Sequence, residues 1–288
     1  MPATRSESML KRCKIALKDG LKSSRPKAIF MDSHPDYVSD ITDNLVPYVE
    51  LSTFERDLRQ GSGSELDGRG KAPPKFAAVH SSAALAVNSF APFKTHIDDF
   101  NLLGKTRFKN FNFEHQCPIW ADNIKLTPPN LDALAATDGE VVAIESKCTE
   151  FLRSKKAEFA PRYESVVEKL LDRPWLEIYG MLKSEPSLFK YLDAAQLVKH
   201  CLGLRNTFPK KDITLVYVFW EPENATDLDI FNIHRSDLKK FADLVGGSAV
   251  KFAAISYLEI WDAWVGRESP QWLLEHAEAL KLRYSVVV

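Results

Sequence analysis

The stretch from Pro129 to Cys148 constrains the fold of this chain more than any other. Two apolar runs, Leu131–Ala136 and Val141–Ile144, flank Asp138-Gly139. Asp-Gly between such runs signals a two-residue β-hairpin, because a type I′ turn needs left-handed φ at both central positions. A two-residue loop sets Thr137 opposite Glu140. The same pairing continues along the ladder, so Ala133 faces Ile144 and Asp132 faces Glu145. Side chains alternate across a strand. Asp132, Glu145 and Lys147 are therefore predicted on one face, with Leu131, Ala133, Val142 and Ile144 on the other.

Two carboxylates facing each other across a ladder stand about 5 Å apart at Cβ, and like charges there are destabilising. They need a cation. Lys147 supplies one in part. A divalent metal ion suits them better, since Mg²⁺ takes one or two carboxylates and completes its shell with water and phosphate oxygens. A solvated charged hairpin with an incidental lysine is the plain alternative.

This Asp…Glu-x-Lys arrangement resembles the PD-(D/E)xK nuclease superfamily, in a bacterial, restriction-endonuclease-like branch. The pattern stands here as Asp132, Glu145 and Lys147, with the proline–aspartate pair loosened to Pro129-Asn130-Leu131-Asp132. A loop Gly61-Ser62-Gly63-Ser64-Glu65-Leu66, followed by His80-Ser81-Ser82 and an alanine-rich segment, adds to the likeness. The resemblance implies a metal-dependent nuclease, a hydrolase that cleaves phosphodiester bonds, with DNA as its partner and a homodimer as a possible assembly. Asp132 and Glu145 would hold Mg²⁺ or Mn²⁺, joined by the backbone carbonyl of Ser146. Lys147 would orient or help deprotonate the attacking water. The implied architecture is α/β (α+β): a mixed central sheet flanked by helices over residues 61–288, after an N-terminal helical extension over 1–60. A catalytically inactive nucleic-acid or protein binding module on the same fold is the rival reading.

Elsewhere the chain offers supporting candidates. Phe108–Cys117 alternates as a strand expected beside the Asp132 strand, which makes Glu114 a third carboxylate for a second metal or the water. His115 then points away, and Pro118-Ile119-Trp120 ends the strand. A helix is expected from about Ser187 to Leu204, with Leu188, Tyr191, Ala195, Val198 and Leu202 as its apolar stripe. Gln196 borders that stripe, turned about 100° from Ala195, where a long amide can reach the site. Lys199 is a second candidate there. Glu65 is a further acid, placed on a loop. The basic opening, with Lys11, Arg12, Lys14 and Lys18 around Met9, Cys13 and Leu17, reads as a solvated amphipathic helix rather than an arm for phosphates.

Among the later elements, Asp212–Trp220 is a nearly continuous run of strand formers, expected as a strand covered on both faces. A helix is expected over Asp237–Val245, a strand over Val250–Trp261 and a helix over Ser269–Arg283. Ser81 or Ser82 should cap a helix ending near Phe90.

Net charge is −1 over 288 residues, so any nucleic-acid surface must be a local patch. The four cysteines show no metal-binding spacing and fit reduced thiols in the cytoplasm. No apolar run reaches the ~20 residues of a membrane helix. No Gly-x-Ser-x-Gly elbow supports a serine hydrolase.

Overall fold

The structure, a computed structural model, describes residues 5–61, 65–121, 124–126 and 130–288. Ser62, Gly63 and Ser64 of the glycine-rich loop, and Pro129 at the head of the motif, lie outside the described residues.

The strands are β1 (Asn110–Gln116), β2 (Ile119–Ala121), β3 (Ile124–Leu126), β4 (Asn130–Ala136), β5 (Glu140–Lys147), β6 (Asp212–Phe219) and β7 (Val250–Ser256). The main sheet has the order β1-β4-β5-β6-β7. Its hairpin keeps the register that a two-residue loop sets, with Ala133 opposite Ile144 and Ala136 opposite Val141. The turn chemistry differs from expectation. Neither Asp138 nor Gly139 takes a left-handed φ. Instead, Thr137 Oγ1 accepts the N–H groups of Gly139 at 3.2 Å and Glu140 at 2.9 Å. A hydroxyl bonding two residues onward stands in for the glycine geometry.

β1 runs antiparallel to β4, while β6 and β7 add parallel to β5. The sheet is therefore mixed, and β6 is buried along nearly its whole length, as its apolar run predicts. Pro118 does not end the β structure. It separates β1 from β2, which pairs with β3 in a second, two-stranded sheet.

The helices are α1 (Arg5–Ser24), α2 (Leu51–Gln60), α3 (Ser82–Phe90), α4 (Glu164–Leu170), α5 (Arg173–Ser184), α6 (Ala194–Thr207), α7 (Asp229–Leu244), α8 (Tyr257–Ala263) and α9 (Gln271–Tyr284). They flank both faces of the sheet, giving an α/β fold. Ser81 caps α3 by accepting the Ala84 N–H at 3.1 Å. On that face Ser146 Oγ meets Tyr257 Oη of α8 at 2.7 Å and donates to the Ser82 carbonyl at 3.2 Å. On the opposite face, His234 of α7 meets Tyr217 Oη at 3.2 Å.

Two helix boundaries depart from the sequence reading because capping overrides the apolar pattern. Asp193 accepts the Gln196 N–H and starts α6 at Ala194, so Leu188 and Tyr191 sit in turns before it. Ser256 and Glu259 form a capping box that ends β7 and starts α8 within the expected strand. A third difference is length: α7 begins at Asp229, well before Asp237.

The core runs from α1 to α9. Leu10, Cys13, Leu17 and Leu21 bury one face of α1, and α1 packs along α9. Each such leucine contributes about 1.5–3 kcal/mol of burial. Among the described residues no helix is long and apolar enough to cross a membrane.

Candidate active site

The site grows from the open end of the hairpin. The paired ladder stops at Ala133 and Ile144. One step further, Asp132 takes the place of a backbone acceptor: its Oδ2 receives the Ser146 N–H at 2.7 Å. Glu145, one residue earlier on β5, is buried at 1 % exposure. Lys147 lies two residues on and on the same face, with its ammonium bonded to Glu145 Oε1. Asp132, Glu145 and Lys147 thus occupy one face, as alternation requires.

Glu114 joins them from β1. Its neighbours Phe113 and His115 pair with Ala133 and Leu131, which sets Glu114 beside Asp132. Its φ of +48° is left-handed, an uncommon and strained conformation for a glutamate. Asn130 donates to its Oε2 at 2.9 Å. Gly61, at the end of α2, lies against it. A Cβ there would stand 2.8 Å from Glu114 Cβ, so the glycine at position 61 makes room for this carboxylate. Glu65 pairs with Lys75 at 2.9 Å and is close enough to Glu114 to act on its charge.

These carboxylates disagree about their protons for physical reasons. Burial, then the charge of Glu145, lifts Asp132 well above the ordinary carboxylate range, against the pull of Lys147. Burial also opposes ionisation of Glu145, but Lys147 and His200 outweigh it and hold that carboxyl low. Burial disfavours the Lys147 ammonium, yet Glu145 and Asp132 keep it firmly protonated. Burial, then Glu65, raises Glu114 from 4.5 to about 7. Three clustered carboxylates share one lysine, so the site is short of positive charge.

Sequence reasoning missed His200. It lies on α6, 1 % exposed, with Nε2 at 2.8 Å from Glu145 Oε2. The contact has ion-pair distance without hydrogen-bond alignment, leaving Glu145 Oε2 a buried acceptor with no hydrogen bond. The signal was available: His200 is four residues after Gln196, hence one turn along the same edge of α6. Gln196 lines a cleft with Lys147, Tyr217 and Arg153. Lys199 turns elsewhere, its ammonium lying over the rings of Phe159 and Tyr163. His115 stacks on Phe208.

The donor set fits a hard divalent cation. Asp132, Glu145 and the Ser146 carbonyl are neighbouring oxygen donors with Lys147 as their nearest cation, and Glu145 Oε2 lacks a hydrogen bond. Among the described residues no three acidic, His or Cys side chains already surround a common point. Two carboxylates suffice for Mg²⁺, whose remaining ligands are ordinarily water and phosphate.

Comparison with known proteins finds one family. Residues 14–285 match the family described as Restriction Endonuclease associating with ARP. No curated protein and no solved structure matches the chain.

Proposed function

The chain belongs to the family of restriction endonucleases associating with ARP, and from that premise we propose that it hydrolyses phosphodiester bonds of DNA at the open end of the β4–β5 hairpin. The observation that carries this reading is the row of Asp132, Glu145 and Lys147, half-buried around a fully buried Glu145, with Glu114 beside it. Asp132, Glu145 and the Ser146 carbonyl would hold Mg²⁺ or Mn²⁺, and Glu114 would hold a second ion or the attacking water. Bound there, such an ion supplies a more acidic water and neutralises charge developing on the phosphate.

The protein's own groups have separate tasks. Lys147 stays an ammonium beside Glu145, so it serves as a positive charge that orients the water and stabilises the crowded phosphate rather than as a base. His200 holds Glu145 from behind. Gln196 offers an amide at the rim of the Lys147 cleft, where it can position water or a phosphate oxygen. Cutting both strands of a duplex calls for two such sites, which a two-fold homodimer supplies.

The test combines binding and cleavage. Mn²⁺ titrated into the wild type should give measurable heat of binding, and Asp132→Asn should abolish it. Supercoiled plasmid should be nicked or linearised only when a divalent ion is present. A protein that retains DNA but neither binds the ion nor cuts would instead be a binding module.

A further inference from the structure

Three depressions join end to end beside Lys147. The first, about 150 Å³, is walled by Lys147, Gln196, Glu150, Arg153 and Lys155. The second, about 220 Å³, shares Glu150 and Arg153 with it and adds Lys14 of α1. The third, about 410 Å³, shares Lys14 and Arg153 with the second and reaches Lys11. Cations recur along the whole groove. The acids along its inner part are already engaged. Glu150 accepts the N–H groups of Cys148 and Thr149 at 2.8 and 3.0 Å. Asp193 caps α6 and pairs with Lys155. Asp36 lies 3.8 Å from Lys14, and Glu7 stands at the outer end. Lys11 and Arg153 are exposed, and among the described residues their side chains have no hydrogen bond or ion pair.

In a chain of net charge −1, five cations line the groove against four acids, and the unpaired ones, Arg153 and Lys11, stand along its length. We infer that the groove is the track of the DNA backbone, running outward from the phosphate at Lys147 over Arg153 to Lys14 and Lys11 on α1. The inference rests on the nuclease reading for the identity of the inner phosphate. It gives the basic face of α1 a task that solvation alone does not. The groove's form selects the occupant. A single phosphate asks for converging donors in one closed pocket, and an anionic membrane asks for a flat face with apolar anchors. Spaced cations along an open channel match a polyanionic strand.

The test is Lys11→Gln with Arg153→Gln, both exposed and unpaired, so the fold is not at risk. Binding of a fluorescently labelled DNA duplex is followed in EDTA at several salt concentrations. Each lost phosphate contact removes about 0.9 from the slope of log K against log salt. The double variant should therefore be shallower by about 2, and its KM for cleavage should rise about tenfold with kcat kept. The pair Lys239→Gln and Lys251→Gln, which line none of the three depressions, should leave the slope unchanged. A double variant with the wild-type slope and affinity overturns the track, and if the wild type still cuts, the nuclease reading survives. A shallower slope in a protein that never cuts leaves the track standing and removes the nuclease reading. A wild type that fails to bind the duplex overturns both.

Discussion

Replacing Glu114 by Gln should change how stability depends on pH, and the structure fixes the sign. Burial, then Glu65, raises the folded Glu114 from 4.5 to about 7, with Asn130 pulling the other way. A carboxyl raised on folding favours the folded state while it is protonated. That contribution is complete below its unfolded value and is lost as pH rises through its folded value. By about pH 8 the loss reaches roughly 3 kcal/mol. Glutamine keeps the shape and can still hydrogen-bond to Asn130, but it does not titrate. The stability of Glu114→Gln relative to wild type should therefore climb by roughly 3 kcal/mol between about pH 5 and about pH 8. The left-handed φ at position 114 is common to both proteins and cancels. Urea denaturation in EDTA across this pH range measures the difference directly. Parallel curves for the two proteins would refute the argument, because Glu114 would then be as solvated in the folded state as in the unfolded one.

Other substitutions test other parts of the account. Gln196→Ala should lower cleavage at least tenfold, about 1.4 kcal/mol of transition-state stabilisation, and an unchanged rate would return Gln196 to a solvent role. His200→Ala leaves the buried Glu145 carboxylate with Lys147 alone and should cost about 2–4 kcal/mol in urea denaturation; a cost under about 0.5 kcal/mol would show that His200 does not support Glu145. Leu17→Ala empties a fully buried position where α1 meets α9 and should cost about 3 kcal/mol. A negligible change there would mean that α1 is not part of the cooperative core.

The hairpin was legible because its two signals agree. A two-residue loop and alternating side chains fix the register, and one register puts Asp132, Glu145 and Lys147 together. Glu114 was legible for a related reason, since β1 lies beside β4 as its alternation suggests, although the antiparallel direction was not legible. The turn type was not, because Thr137 offers a side-chain route to the same reversal that Asp-Gly offers through its backbone. Helix boundaries failed where a polar cap lay inside an apolar pattern, at Asp193 before α6 and at Ser256 before α8. Periodicity reports which residues can share a face but not where a helix may begin. His200 stayed hidden for a different reason. Its place one turn after Gln196 marks the edge of α6, but a histidine there names no partner until the fold brings Glu145 to 2.8 Å from it. The groove along α1 was hidden too, because Lys11 and Arg153 are far apart in sequence and only the turn after β5 brings them into line.

The central claim is that Lys147 serves the reaction and not the metal. Lysine is no ligand for a hard cation, whereas its ammonium lies beside Glu145 at the proposed site of attack. The direct measurement is plasmid cleavage by Lys147→Ala in Mg²⁺, with Mn²⁺ binding followed on the same preparation by calorimetry. Cleavage should fall by about a hundredfold or more while the metal still binds and the wild type loses all activity in chelator. Undiminished cleavage by the variant, or cleavage by the wild type in chelator, would contradict the account.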